Sequence, residues 1–129
     1  MDKEDAKLAV DAGADAIIVS NHGGRQLDGA PSTISVLSEI VGEVGHKTEV
    51  HFDGGIRSGQ DVLKALSLGA KCAHIGRPYV YGLGAKGQQG VEVALEIIKK
   101  ELDLSMAMCG ETNVSNVGMH NLYNYPYKK

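Results

Sequence analysis

Three short apolar runs, each closed by glycine and polar residues, alternate with longer stretches whose apolar positions recur every three or four residues. Ala16-Ile17-Ile18-Val19, Val50-His51-Phe52 and Cys72-Ala73-His74-Ile75 read as buried strands, which places parallel strands at about 15–20, 48–53 and 72–76. Residues 3–12 are strong helix formers, with Ala6, Ala9 and Val10 on one face and Gly13 as the stop. A second helix is predicted from Ser32 or Thr33 to Val44, burying Ile34, Leu37, Ile40, Val41 and Val44. Ser58 and Asp61 are spaced as a capping pair for a third helix, 59–68, which Gly69 ends. After a glycine-rich connection (Gly82, Gly84, Gly87) the longest helix is predicted over 89–108. Its core face would be Val91, Ala94, Leu95, Ile98 and Leu102, with Glu96 and Lys100 spaced to pair. The remainder, 111–129, reads as a polar, tyrosine-rich tail with a short helix around Thr112 to Val117.

The order of elements carries two consequences. Ala12-Gly13-Ala14-Asp15-Ala16-Ile17 and Leu68-Gly69-Ala70-Lys71-Cys72-Ala73 repeat the same helix-stop-then-strand handover. Strands separated by helices pair in parallel, so their C-terminal ends share one face, and a β/α barrel or a doubly wound sheet follows. Each strand ends in glycine and arginine: Gly24-Arg25, Gly55 with Arg57, and Gly76-Arg77. The three loops therefore converge on one site.

That site has two kinds of chemistry. Ser20-Asn21-His22-Gly23-Gly24-Arg25-Gln26-Leu27-Asp28-Gly29 presents an imidazole and a guanidinium three residues apart, joined by glycines that let the backbone turn tightly. A base beside an anion clamp suits acid–base work on a carboxylate. Asp53-Gly54-Gly55-Ile56-Arg57-Ser58-Gly59 opens a helix, where free N–H groups and the helix dipole favour an anion, and Gly76-Arg77 adds a second such set. Together they suggest a phosphate-bearing ligand. His51 and His74 lie inside strands and read as hydrogen-bonded core or lining residues, His46 and His120 as members of polar connections, and Asp28-Gly29 as a turn.

Composition narrows the setting. The 129 residues suffice for one domain, and 43% apolar with 22% charged residues is ordinary for a globular protein. No run of 18 apolar residues occurs, and the charged N-terminus lacks the apolar segment of a secretory signal, so no membrane span and a cytoplasmic location are expected. A net charge of -3 without a basic run argues against a nucleic-acid partner, with Lys99-Lys100 and Lys128-Lys129 as solvated ends. Cys72 and Cys109 have no metal-ligand spacing and read as reduced packing thiols, with no metal site expected.

The long Ser20 to Gly29 stretch, the Asp53 to Gly59 loop and Gly76-Arg77-Pro78, in that order, resemble the C-terminal part of the FMN-dependent L-2-hydroxy-acid oxidases and dehydrogenases, over about residues 3–110. The resemblance implies a partial TIM (β/α)8 barrel, its last three β/α units in 1–110, and FMN as cofactor. His22 would be the base that takes a proton from a lactate- or glycolate-like 2-hydroxy acid, and Arg25 would hold the substrate carboxylate. Ser20 would lie near the flavin ring, and Asp53, Gly54, Gly55, Arg57, Gly76 and Arg77 would contact FMN phosphate and ribityl groups. It also implies that five barrel strands, with a lysine, tyrosines, a second arginine and the aspartate that orients the histidine, are not in this sequence. The chain is therefore expected to be a fragment, inactive alone, that self-associates or needs an N-terminal barrel portion. The alternatives are a non-catalytic remnant or FMN-binding module, and another phosphate-binding barrel such as an isomerase.

Overall fold

The computed structural model describes residues 1–123. The order is α1 (Lys3–Asp11), β1 (Ala16–Val19), α2 (Thr33–Val44), β2 (Glu49–Asp53), α3 (Gly59–Ser67), β3 (Cys72–His74), α4 (Arg77–Lys86) and α5 (Gln88–Met108). Single 3₁₀ turns occupy His22–Gly24, Val114–Asn116 and Met119–Asn121. The strands form one parallel sheet in the order β1-β2-β3, with Ile18 opposite His51 and His51 opposite Cys72. Parallel neighbours need a crossover, and α2 and α3 supply it.

The caps follow the sequence closely. Asp2 accepts the Glu4 amide at the start of α1, and Ser58 and Asp61 exchange bonds as a full capping box at the start of α3. Gly13 and Gly69 end their helices at φ 96° and 99°, a left-handed conformation that glycine alone enters freely.

Because side chains alternate along a strand, one sheet face packs on helices and the other does not. Val19, Val50 and Phe52 are buried against Leu37, Ile40 and Val44 of α2 and Ala65 and Leu68 of the α3 unit. Burying a side chain such as Phe52 or Leu37 contributes about 1.5–3 kcal/mol, and this layer holds the sheet to its helices. On the opposite face Ile18 remains 56% exposed, and His51, Asp53, Cys72 and His74 are half-buried.

The main departure from the sequence reading is the segment expected to be a glycine-rich connection. It is α4, and β3 stops at His74, two residues short of the expected 76. Gly82 of α4 and Gly90 of α5 approach so closely that neither has room for a β-carbon, so these glycines serve helix packing rather than loop freedom. Gly59 likewise admits the α5 backbone at Leu102.

Helix α5 lies over α3 and α4 rather than across the sheet. Leu95, expected on the core face, is therefore 50% exposed, while Ser105 and Met106 are buried. Glu96 and Lys100 do not pair. Among the described residues the ion pair is Lys3–Glu39, with the His51 and His120 rings within reach of Glu49 and Glu111, and an exposed i,i+4 pair gains too little to hold two long side chains together. The helix expected around 112–117 is a 3₁₀ turn at Val114–Asn116, and Met119 and Leu122 pack on the core. Residues 124–129, including Lys128-Lys129, lie outside the described residues.

Candidate functional site

The loop after β1 is built on two polar side chains. Ser20 Oγ donates to Asp53 Oδ1 at 2.7 Å and accepts the His22 amide at 3.0 Å. Asn21 Oδ1 accepts the Gly23 amide at 3.0 Å, and the Asn21 amide donates to Thr33 Oγ1 at 3.2 Å. These bonds hold three successive left-handed residues: His22 at φ 55°, Gly23 at 65° and Gly24 at 70°. Two are glycines, for which the conformation is free. His22 is the only non-glycine residue with positive φ among the described residues, and such strain persists only where surrounding bonds fix it. Its imidazole is exposed on the turn.

The loop after β2 leaves the sheet through Gly54 and Gly55 at φ 101° and 86°. A β-carbon on Gly54 would lie 2.9 Å from Thr33 Oγ1 and 3.1 Å from Asn21 Oδ1, so the first two loops are pressed together at this glycine. The expected anion site at the start of α3 needs correction. The Arg57 and Ser58 amides donate to Asp61, the Gly59 amide to Glu101 Oε2 and the Asp61 amide to Ser58 Oγ. The capping box that made this helix legible also consumes its free N–H groups.

The uncapped helix start is that of α4. Gly76 is its N-cap and provides no side-chain bond, Arg77 and Pro78 form its first positions, and this helix start lines the cleft. Arg77 also meets the first loop, since its Nη2 lies 3.5 Å from where a β-carbon on Gly23 would be.

All nine residues singled out from the sequence, Ser20, His22, Arg25, Asp53, Gly54, Gly55, Arg57, Gly76 and Arg77, line one open cleft of about 560 Å³. None of Arg25, Arg57 and Arg77 belongs to an ion pair among the described residues, and all three are exposed. Three uncompensated guanidiniums around one concave surface favour an anionic ligand. The donor set suits a phosphate: guanidinium forks, an uncapped helix start, and Gly55 and Gly76 with open space in place of a side chain.

His74, one of the two strand histidines expected to be core or lining residues, lies on the cleft wall, and so do Tyr79 and Val80, which no motif marked. Tyr79 and Val80 belong to α4, whose signal was Pro78 directly after Gly76-Arg77, a proline suited to a first helical turn. His74 follows from the strand period, two residues after Cys72 on the same face.

Parallel β/α units with an arginine- and glycine-lined cleft across the strand C-termini place the site where β/α barrels and doubly wound sheets carry theirs. The family described as FMN-dependent dehydrogenase matches residues 1–124, and the chain belongs to that family. It is 58% identical over 111 residues to 2-hydroxyacid oxidase 1 of Mus musculus, covering 86% of this chain and 30% of that protein. It is 51% identical to a peroxisomal (S)-2-hydroxyacid oxidase of Arabidopsis thaliana, covering 89% and 32% respectively. Its structure matches that of a mandelate oxidase variant with a monooxide FMN adduct at a TM-score of 0.87 and 51% identity, over 91% of this chain and 37% of that one. The chain thus spans about a third of the length of the curated relatives it matches, and its fold is part of the barrel of these FMN oxidases.

Proposed function

We propose that this chain supplies the histidine loop and the FMN phosphate loops of an FMN-dependent 2-hydroxy-acid oxidoreductase. The observation that carries this reading is the convergence of His22 and Arg25 with Arg57 and Arg77 on one cleft. FMN, when bound, accepts a hydride or its equivalent from the hydroxyl-bearing carbon. Arg57, Arg77, Gly76, Asp53 and the Gly54-Gly55 turn would hold its phosphate and ribityl chain, with Ser20 toward its ring. Arg25 holds the substrate carboxylate by a forked pair of hydrogen bonds. His22 takes the proton that leaves as the 2-hydroxy acid becomes the 2-oxo acid.

The rest of the barrel must come from a further portion, because three parallel strands cannot close. Ile18 on the uncovered sheet face and the free sheet edges are where such a portion, or a second copy, would dock. One observation favours a second reading, an FMN-binding module without catalysis. The phosphate side has its arginines and helix start in place, whereas the His22 imidazole makes no side-chain hydrogen bond among the described residues.

The flavin spectrum of the purified chain with FMN, with and without an L-2-hydroxy acid, tests the reading. The chain alone should not bleach FMN, and addition of an N-terminal barrel portion should restore bleaching by lactate or glycolate. Bleaching by the chain alone would overturn the need for the remaining strands. A complemented barrel that binds FMN and never bleaches would select the binding module.

A further inference from the structure

The sheet face left uncovered by the helices carries a second cluster of chemistry. Register sets Cys72 opposite His51, and the two-residue strand period returns His74 to the same face. His51 Nδ1 lies 3.1 Å from His74 Nε2. One ligand atom from each of His51, Cys72 and His74 lies within 4.8 Å of the other two, and all three residues are half-buried. The second nitrogen of His51, Nε2, is 3.3 Å from Glu49 Oε2.

We propose that His51, Cys72 and His74 form a three-ligand site for a divalent cation of the zinc type, with Glu49 as the positioning residue behind His51. Tetrahedral zinc, at about 2.0–2.1 Å from nitrogen and about 2.3 Å from sulfur, separates two nitrogens by about 3.3 Å and nitrogen from sulfur by about 3.6 Å. The two imidazoles already stand at this spacing. Cys72, whose sulfur lies within 4.8 Å of a nitrogen of each ring, must draw closer to complete the set.

A hydrogen bond between two neutral imidazoles accounts for the 3.1 Å contact alone. It does not require a thiol beside them or a carboxylate on the far nitrogen of His51. A carboxylate behind a ligating histidine fixes the ring and its tautomer, leaving Nδ1 unprotonated toward the metal. Two imidazoles and a thiolate favour zinc over magnesium or calcium, which take oxygen ligands. Three protein ligands leave a fourth position for water or a further ligand, and His74 also lines the cleft. Binding releases the Cys72 thiol proton.

The test uses the untagged, reduced 129-residue chain. Zinc is titrated in competition with a chromophoric chelator, and cobalt(II) is added separately to read thiolate-to-metal charge transfer. One equivalent of zinc should bind, and the cobalt complex should show the charge-transfer absorption. Cys72→Ser should abolish that absorption, and Cys72→Ser, His51→Phe and His74→Phe should each weaken zinc binding by at least about tenfold. Glu49→Gln should weaken it by about 10–100-fold with the absorption retained. His46→Ala and His120→Ala should change neither. A measurement free of variants accompanies these: zinc should slow alkylation of Cys72 at least about tenfold while leaving the exposed Cys109 unchanged. Absence of zinc binding, stoichiometric binding that survives Cys72→Ser and His74→Phe, or equal alkylation rates with and without zinc would each overturn the proposal.

Discussion

Ser20 Oγ and Asp53 Oδ1, 33 residues apart in the chain and 2.7 Å apart in space, join the end of β1 to the end of β2. The same hydroxyl accepts the His22 amide, so the position of the histidine loop is referred to the neighbouring strand. Ser20→Ala removes both bonds and should cost about 1–3 kcal/mol, read as a lower denaturant midpoint with unchanged slope. Ser20→Thr, which keeps the hydroxyl, should recover most of the loss.

His22→Gly should uncouple stability from chemistry. A left-handed conformation costs an ordinary residue about 1–2 kcal/mol, and the greater freedom of glycine in the unfolded chain returns part of that gain. The variant should be as stable as the parent or more stable by up to about 1 kcal/mol, while losing the proposed base. A clear drop in thermal midpoint would show that the imidazole itself holds the loop.

Gly90→Ala should separate α5 from α4. The added methyl has nowhere to go, since Gly82 O occupies its place, and forcing a methyl into a packed contact costs about 1–3 kcal/mol. Gly84→Ala, at a position of α4 with open space, should be neutral or slightly stabilising through helix propensity. Parallel thermal melts of the two variants check the contrast.

The docked segment after α5 should respond to acid. Hydrogen bonds from Asn121 and then His120 hold the Glu111 carboxyl below its usual range. A carboxyl depressed in the folded state stabilises above its unfolded pKa, and that contribution fades as pH falls through the folded value. Amide exchange at Met119–Leu122 should therefore accelerate below the usual carboxylate range, and Glu111→Gln should remove most of this pH dependence.

Much of this architecture was legible in the chain. The three strands and the helices between them are set by the switch between a two-residue and a 3.6-residue period, and the Ser58–Asp61 box fixed one boundary closely. The glycine–arginine loops revealed the cleft because parallel strands bring their C-terminal ends to one face. Helix α4 escaped because Gly82 and Gly84 carry the local signature of a loop. Its stability comes from close packing on Gly90, which no local propensity records. The Glu101 bond to the Gly59 amide at α3 and the His51–Cys72–His74 cluster escaped for a related reason. Both depend on which long-range partner a side chain finds, Glu101 for the Gly59 amide and the β2–β3 register for the cluster.

The central claim, that His22 acts in proton removal while the arginine loops hold FMN, is tested most directly in a chimera. The 111 matching residues of this chain would replace their counterparts in the 58%-identical mouse 2-hydroxyacid oxidase 1, with anaerobic FMN reduction by a 2-hydroxy acid as the readout. His22→Ala should bind FMN nearly as the unsubstituted chimera does and reduce it about 10²–10⁴-fold more slowly, whereas Arg57→Ala and Arg77→Ala should lose FMN affinity first. Reduction by His22→Ala at the unsubstituted rate, or equal loss of binding and reduction in all three variants, would contradict the account.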